Sequence, residues 1–168
     1  LRDGIVKSAV DALDGDLPDP AIEGDSYRPM LPWVHRADIC AGAWLLTGDD
    51  RFAERAWEIL ELAMIWPEWI GPEHKPLTID LRSAKVVRAL AGIRDRLDGW
   101  LNAERRERLV GYLVDAAERF VTISDAHSEW WTYSTHNWRT VVDGAYAVGA
   151  LSVMEDLPGN TLRRVLRH

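Results

Sequence analysis

Cysteine is almost absent, and the single Cys40 excludes an internal disulfide framework or a cysteine-cluster metal site. Long apolar runs are absent too. The longest uncharged helical stretch, residues 39–48, falls well short of the roughly 18 residues that cross a bilayer, so no membrane partner is expected. Positive charge is in deficit: Lys+Arg 20 against Asp+Glu 27 leaves a formal net charge of −7, spread along the chain. Nonspecific nucleic-acid binding is driven by phosphate neutralisation, so no nucleic-acid partner is expected either. No glycine-rich phosphate loop and no closely spaced pattern of the H-E-x-x-H type occurs, so neither a metal nor a cofactor is expected. The chain opens at Leu1 without a charged-then-apolar leader, which predicts that a signal peptide is absent or already removed.

What remains is the composition of a globular protein, 47% apolar and 28% charged over 168 residues, for which one domain is the expectation. Phe 2 and Tyr 4 are scarce beside Trp 9. Phe and Leu fill a core without an indole N–H to satisfy, so excess Trp points to a surface for flat ligands, sugar rings first among them. The competing reading makes the indoles filler between helices.

The apolar spacing is helical nearly throughout. One stripe runs Trp33, Ala37, Cys40/Ala41 and Trp44/Leu45 and ends at Gly48. A second, Ala53, Ala56/Trp57, Leu60 and Ala63/Met64, opens at Asp49 or Asp50 and closes before Pro67. Thr78 is the expected cap of a third helix, which stops near Gly99, and Asn102 of a fourth, through Leu109, Leu113 and Phe120. A fifth carries Val141/Val142, Ala145, Val148 and Leu151, and a sixth follows Pro158-Gly159-Asn160. Residues 1–13 predict a leading helix and residues 14–32 a proline-bearing loop. Period-2 alternation is not sustained anywhere, so strands are not expected. The short connections at Gly48-Asp49 and Gly99 predict antiparallel hairpins. The expected fold is therefore a single all-α domain over 1–168, with a leading segment and loop over 1–32 and helices over 33–168 that form part of an incomplete α/α toroid. The abrupt start and finish predict a fragment of a longer protein.

The chemistry concentrates in residues 127–139. His127, Glu129, Trp130, Trp131, Tyr133, His136, Asn137, Trp138 and Arg139 lie on a loop and the first turn of the fifth helix. Free backbone N–H groups and the helix dipole favour a carboxylate there. Asn137 can donate amide hydrogens to it, His136 can donate a hydrogen bond or take a proton, and Tyr133 can do either. Trp130, Trp131 and Trp138 offer ring faces. The set suits abstraction of the proton alpha to a uronate carboxyl, followed by β-elimination. Simpler roles compete at each position. His136 or Asn137 can cap the helix, Trp138 can pack beneath the loop, and adjacent Trp130 and Trp131 must point different ways. His127 reads as a surface loop residue, and Arg105, Arg106 and Arg108 as a solvated helix face. Trp66-Pro67-Glu68-Trp69 with His74 forms a second aromatic loop, either a packed corner or a rim of the same groove.

Taken together, these features resemble the heparinase II/III-like and oligoalginate-lyase polysaccharide lyases, in their N-terminal α/α toroid. The resemblance lies in Thr47-Gly48-Asp49-Asp50-Arg51-Phe52-Ala53 after an apolar helix, in Trp66-Pro67-Glu68-Trp69, in Leu101-Asn102-Ala103-Glu104-Arg105-Arg106, and in His136-Asn137-Trp138-Arg139-Thr140-Val141-Val142-Asp143-Gly144. The last is similar to the family's N-N-W-x-x-V-x-x-G element, with His in place of the first Asn. The resemblance implies a lyase that cleaves an acidic polysaccharide or oligosaccharide, with Asn137 and neighbouring His136 neutralising the uronate carboxyl. It further implies that the usual base and acid lie beyond this chain, in the toroid remainder or a following β-sandwich domain. A periplasmic or secreted location is favoured on the same ground alone. The catalytic candidates are thus Asn137, His136 and Tyr133, with Trp130, Trp131, Trp138, Arg139 and Trp69 as substrate contacts.

Two rivals stand beside this reading. A toroid glycoside hydrolase needs two opposed carboxylates about 5–10 Å apart, and the acids near the aromatic loop are Asp125, Glu129 and Asp143. A non-catalytic helical scaffold for a protein partner predicts Trp residues buried between helices and no groove.

Overall fold

The computed structural model describes residues 2–24 and 26–168. All regular structure among the described residues is helical. The helices are α1 (Arg2–Leu13), α2 (Pro20–Glu23), α3 (Leu31–Thr47), α4 (Asp50–Ile65), α5 (Leu81–Leu97), α6 (Ala103–Ala126), α7 (Asn137–Ser152) and α8 (Thr161–Val165). Two 3-10 turns, Pro72–His74 and Trp130–Tyr133, precede α5 and α7. The loop expected over 14–32 is interrupted by α2, and α3 begins at Leu31 with Pro32 in its first turn, where a missing N–H costs nothing.

The helix ends follow local chemistry. Gly48 closes α3 in the left-handed region at φ 71, a conformation glycine adopts without a Cβ penalty. The Asp49 carboxylate accepts from the Arg51 N–H to open α4, and the Asn102 side chain accepts from the Arg105 N–H to open α6. The start of α5 departs from the expected pattern. Asp80, not Thr78, is the cap: its Oδ1 accepts from the N–H groups of Arg82 at 2.6 Å and Ser83 at 3.1 Å. Ser83 Oγ in turn accepts from the Asp80 N–H at 2.9 Å, completing a reciprocal cap.

Alternate helices along the chain pack side by side, α1 on α3, α3 on α5 and α5 on α7. The intervening helices lie against this row, α4 on α3, α6 on α5 and α7, and α8 on α6 and α7. Small residues set the spacing. At Gly149 of α7 a Cβ would come within 2.7 Å of Val87 Cγ1 on α5, and valine is stiff at χ1, so the close approach of these helices requires glycine. The arginines expected on a solvated face keep much of that exposure and, in addition, reach across to neighbouring elements. Arg105 and Arg108 of α6 pair with Glu54 and Glu61 of α4, and both guanidinium groups lie near the face of Trp57. Arg106 pairs with Asp98 at 2.5 Å.

Candidate functional site

The aromatic loops before α5 and before α7 converge. His74 meets Trp138 edge-on with ring centroids 4.6 Å apart, and Trp138 lies 5.1 Å from Trp130. The buried Glu129 carboxylate ties the loops together. Its Oε1 accepts from the Thr78 N–H at 2.6 Å and the Thr78 hydroxyl at 2.7 Å, while Oε2 accepts from the Trp131 indole at 2.6 Å. A buried charge stays favourable only when its oxygens are satisfied in this way.

The other buried anchor is Asp80, which is fully shielded from solvent. Its Oδ2 lies 3.0 Å from His74 Nδ1 and accepts from the Gly71 N–H at 3.1 Å, and Arg82 donates to it at 3.2 Å. Burial works to raise the Asp80 pKa, but the hydrogen bonds from His74, the Gly71, Ser83 and Arg82 N–H groups prevail and hold it below the ordinary carboxylate range. A carboxyl whose folded pKa is depressed contributes stability above its unfolded pKa of about 3.9, and that contribution is lost as pH falls through the folded value. Melting curves between pH 6 and pH 3 (on the order of the carboxylate range) should therefore show a steeper acid loss for the native protein than for Asp80→Asn. Parallel curves would contradict this role.

The eight site residues expected from sequence separate into an exposed group and a packed one. Trp130 is 40% exposed and Tyr133 65% exposed, and His136 and Asn137 are exposed beside them. Trp130 and His136 rings stand 6.1 Å apart. His136 takes the capping position of α7, its Nδ1 accepting from the Trp138 N–H at 3.4 Å, which leaves Asn137 as the first helical residue, at an exposed position. Trp131, by contrast, is fully buried and stacks on Phe120 at 6.0 Å, so it presents no face to a ligand. Trp138 is buried beneath Trp130. Arg139 is turned along its own helix and toward α8, donating to Asp143 at 3.3 Å and to the His168 carbonyl at 3.4 Å. Trp69 is buried with its indole donating to the Ala63 carbonyl, and it lines a separate cavity.

Of the nine tryptophans, Trp130 is the one that is exposed. The rest fill space between helices and loops, their indoles donating to Asp50 from Trp44 and to the Ser26 carbonyl from Trp66, or lying under arginines as Trp33 and Trp100 do. The acids that a hydrolase would need are likewise committed. Asp125 pairs with Arg164 at 2.5 Å and with His168 at 2.8 Å, Asp143 pairs with Arg139, and Glu129 is saturated. Burial lifts the Asp143 pKa above the ordinary range against the opposing charge of Arg139. Cys40 is buried and its thiol is pushed up to about 11, mainly by desolvation, so it is protonated at neutral pH and no nucleophile. Among the described residues no group of three His, Cys, Asp or Glu side chains is placed to hold a metal, and no helix is long and apolar enough to cross a membrane.

Sequence reasoning missed the Asp80–His74–Arg82 network, although Asp80 stands three residues before Ser83 in a recognisable capping pattern. It also passed over Arg119, which shares a helix face with Tyr112 at a spacing of seven. Compared with family models, the chain matches none. No curated protein is significantly similar to it.

Proposed function

We propose that this chain forms part of a polysaccharide lyase acting on a uronate-containing glycan, with the sugar acid held at the start of α7. The observation that carries the reading is the exposed trio of Trp130, His136 and Asn137, where a ring face stands beside two hydrogen-bonding side chains at a helix N-terminus. A sugar ring laid on Trp130 brings its carboxylate within the reach of the Asn137 amide and the positive end of the helix. Tyr133, exposed one turn away, is the candidate proton carrier. The alternation of helices, with α1, α3, α5 and α7 in one row and α4, α6 and α8 against it, supports antiparallel hairpins arranged as a portion of an α/α toroid.

The carboxylate is the discriminating group. The protein should bind an alginate or heparan oligosaccharide, and should lose most of that affinity when the carboxyl groups are reduced to alcohols. Equal binding of the reduced and native oligosaccharides would remove the uronate from the account. A second reading, a helical scaffold for a protein partner, is favoured by the burial of the other tryptophans and by exposed Val141, Val148 and Leu151 along α7. It predicts no binding of either oligosaccharide.

A further inference from the structure

α5 and α7 run side by side in the same direction: Gly149 packs on Val87, and the residues that follow α7 sit beside the end of α5. Two depressions meet on the exposed side of this pair. One, of about 510 Å³, lies between α3 and α5 and reaches Val148. The other, of about 700 Å³, lies between the ends of α5 and α7 and takes in Val148, Leu151 and Met154. Val148 belongs to both, so they form one continuous surface. Val141, Val148 and Leu151 share a helix face by their spacing of seven and three, and they and Met154 are all exposed. An apolar strip rimmed by charge in this way marks an interaction surface. Trp130, His136 and Asn137 line neither depression.

The rim is divided by sign. Lys85 and Arg88 line the first depression, Glu155 and Asp156 the second. All four are exposed, and none pairs with an opposite charge among the described residues. The other rim charges are already matched: Arg96 with Asp38 at 2.5 Å, Arg94 with Asp95 at 3.1 Å and Arg106 with Asp98 at 2.5 Å. Because α5 and α7 are parallel, the free cations lie toward the start of α5 and the free acids just past the end of α7. The apolar strip runs between them.

The geometry points to this face as the contact between two copies of the chain, related by a two-fold axis through the strip at Val148 and Leu151. Rotation about such an axis exchanges the ends of the strip, so Lys85 and Arg88 of each copy meet Glu155 and Asp156 of the other. The apolar side chains meet across the axis and leave water. A wholly acidic partner would satisfy Lys85 and Arg88 but set like charge against Glu155 and Asp156, and a basic partner would do the reverse. A second copy answers both ends with the same four residues. The net charge of −7 opposes association in general. Exposed charges more than about 8 Å apart are largely screened at physiological ionic strength, however, while contacting pairs at an interface are screened much less. The pairing rests on this face alone and is independent of what the start of α7 binds.

Sedimentation velocity on charge-reversed chains tests it. At roughly 50 μM, enough to populate a complex of micromolar Kd, the native chain should sediment at twice the monomer mass. One variant carries Lys85→Glu and Arg88→Glu, the other Glu155→Arg and Asp156→Arg. Each alone should dimerise at least about tenfold more weakly, because like charges then face each other at both ends. Mixed in equal amounts, the two variants should recover the dimer, since every reversed cation then meets a reversed acid. Val148→Glu should be monomeric and stay so in either mixture. Circular dichroism melts check that each chain is folded, as expected for changes at exposed positions. A monomeric native chain, single variants that dimerise as tightly as the native protein, or a mixture that stays monomeric would each overturn the inference. None of these results bears on oligosaccharide binding, which is read separately on the native chain.

Discussion

Replacing Trp131 with alanine should destabilise the protein by about 3–5 kcal/mol, the usual cost of emptying a buried aromatic site. The same change at Trp130 should cost no more than about 0.5–1.5 kcal/mol, the worth of one aromatic pair. The two residues are adjacent but differ in what they touch. Trp131 is fully buried, stacks on Phe120 and donates to Glu129. Its loss opens a cavity and also leaves a buried carboxylate with one fewer donor, a second penalty on top of the first. Trp130 is 40% exposed and leans on Trp138 and His136. Urea unfolding of both variants checks the contrast. A Trp131→Ala variant within about 1 kcal/mol of the native protein would mean that the loop before α7 is not anchored through this indole.

The second large effect concerns turnover. On the proposed lyase reading, Asn137→Ala should lower kcat by about 10²–10³, the usual loss when one donor to a developing negative charge is removed. KM should change little, because negative charge builds on the uronate carboxyl as the neighbouring C–H proton leaves, and the Asn137 hydrogen bond strengthens with it. The structure sharpens the control. His136, not Asn137, caps α7, so Asn137→Ala should leave the melting temperature nearly unchanged. His136→Ala should cost about 0.5–2 kcal/mol of stability, toward the low end given the long 3.4 Å hydrogen bond. A large stability loss in Asn137→Ala with near-normal turnover would assign that residue to the scaffold.

The helices were legible because their signals are local. Gly48, Asp49 and Asn102 punctuate the chain within a few residues of the groups they satisfy. Thr78 looked like a cap by the same logic, but its hydroxyl and N–H serve Glu129, 51 residues away, and no local pattern announces so distant a partner. Sequence established that Trp130 and Trp131 must diverge. Which of them faces solvent depended on Phe120 of α6 and on Glu129, and both are tertiary facts. The arginines at 105 and 108 read as solvated because their helix face is charged, while their partners Glu54 and Glu61 lie on another helix. The excess of tryptophan pointed to a ligand surface, yet five of the nine are buried, Trp33, Trp44 and Trp100 are half-buried, and Trp130 is the exposed one. A composition count cannot separate an indole that packs from one that waits for a sugar.

The central claim is that the exposed start of α7 holds an acidic sugar, and calorimetric titration with an alginate tetrasaccharide tests it most directly. The account predicts binding by the native protein that weakens with added salt and falls about tenfold (~1.4 kcal/mol) in Trp130→Ala. Tetrasaccharide affinity that is the same in Trp130→Ala as in the native protein would contradict it.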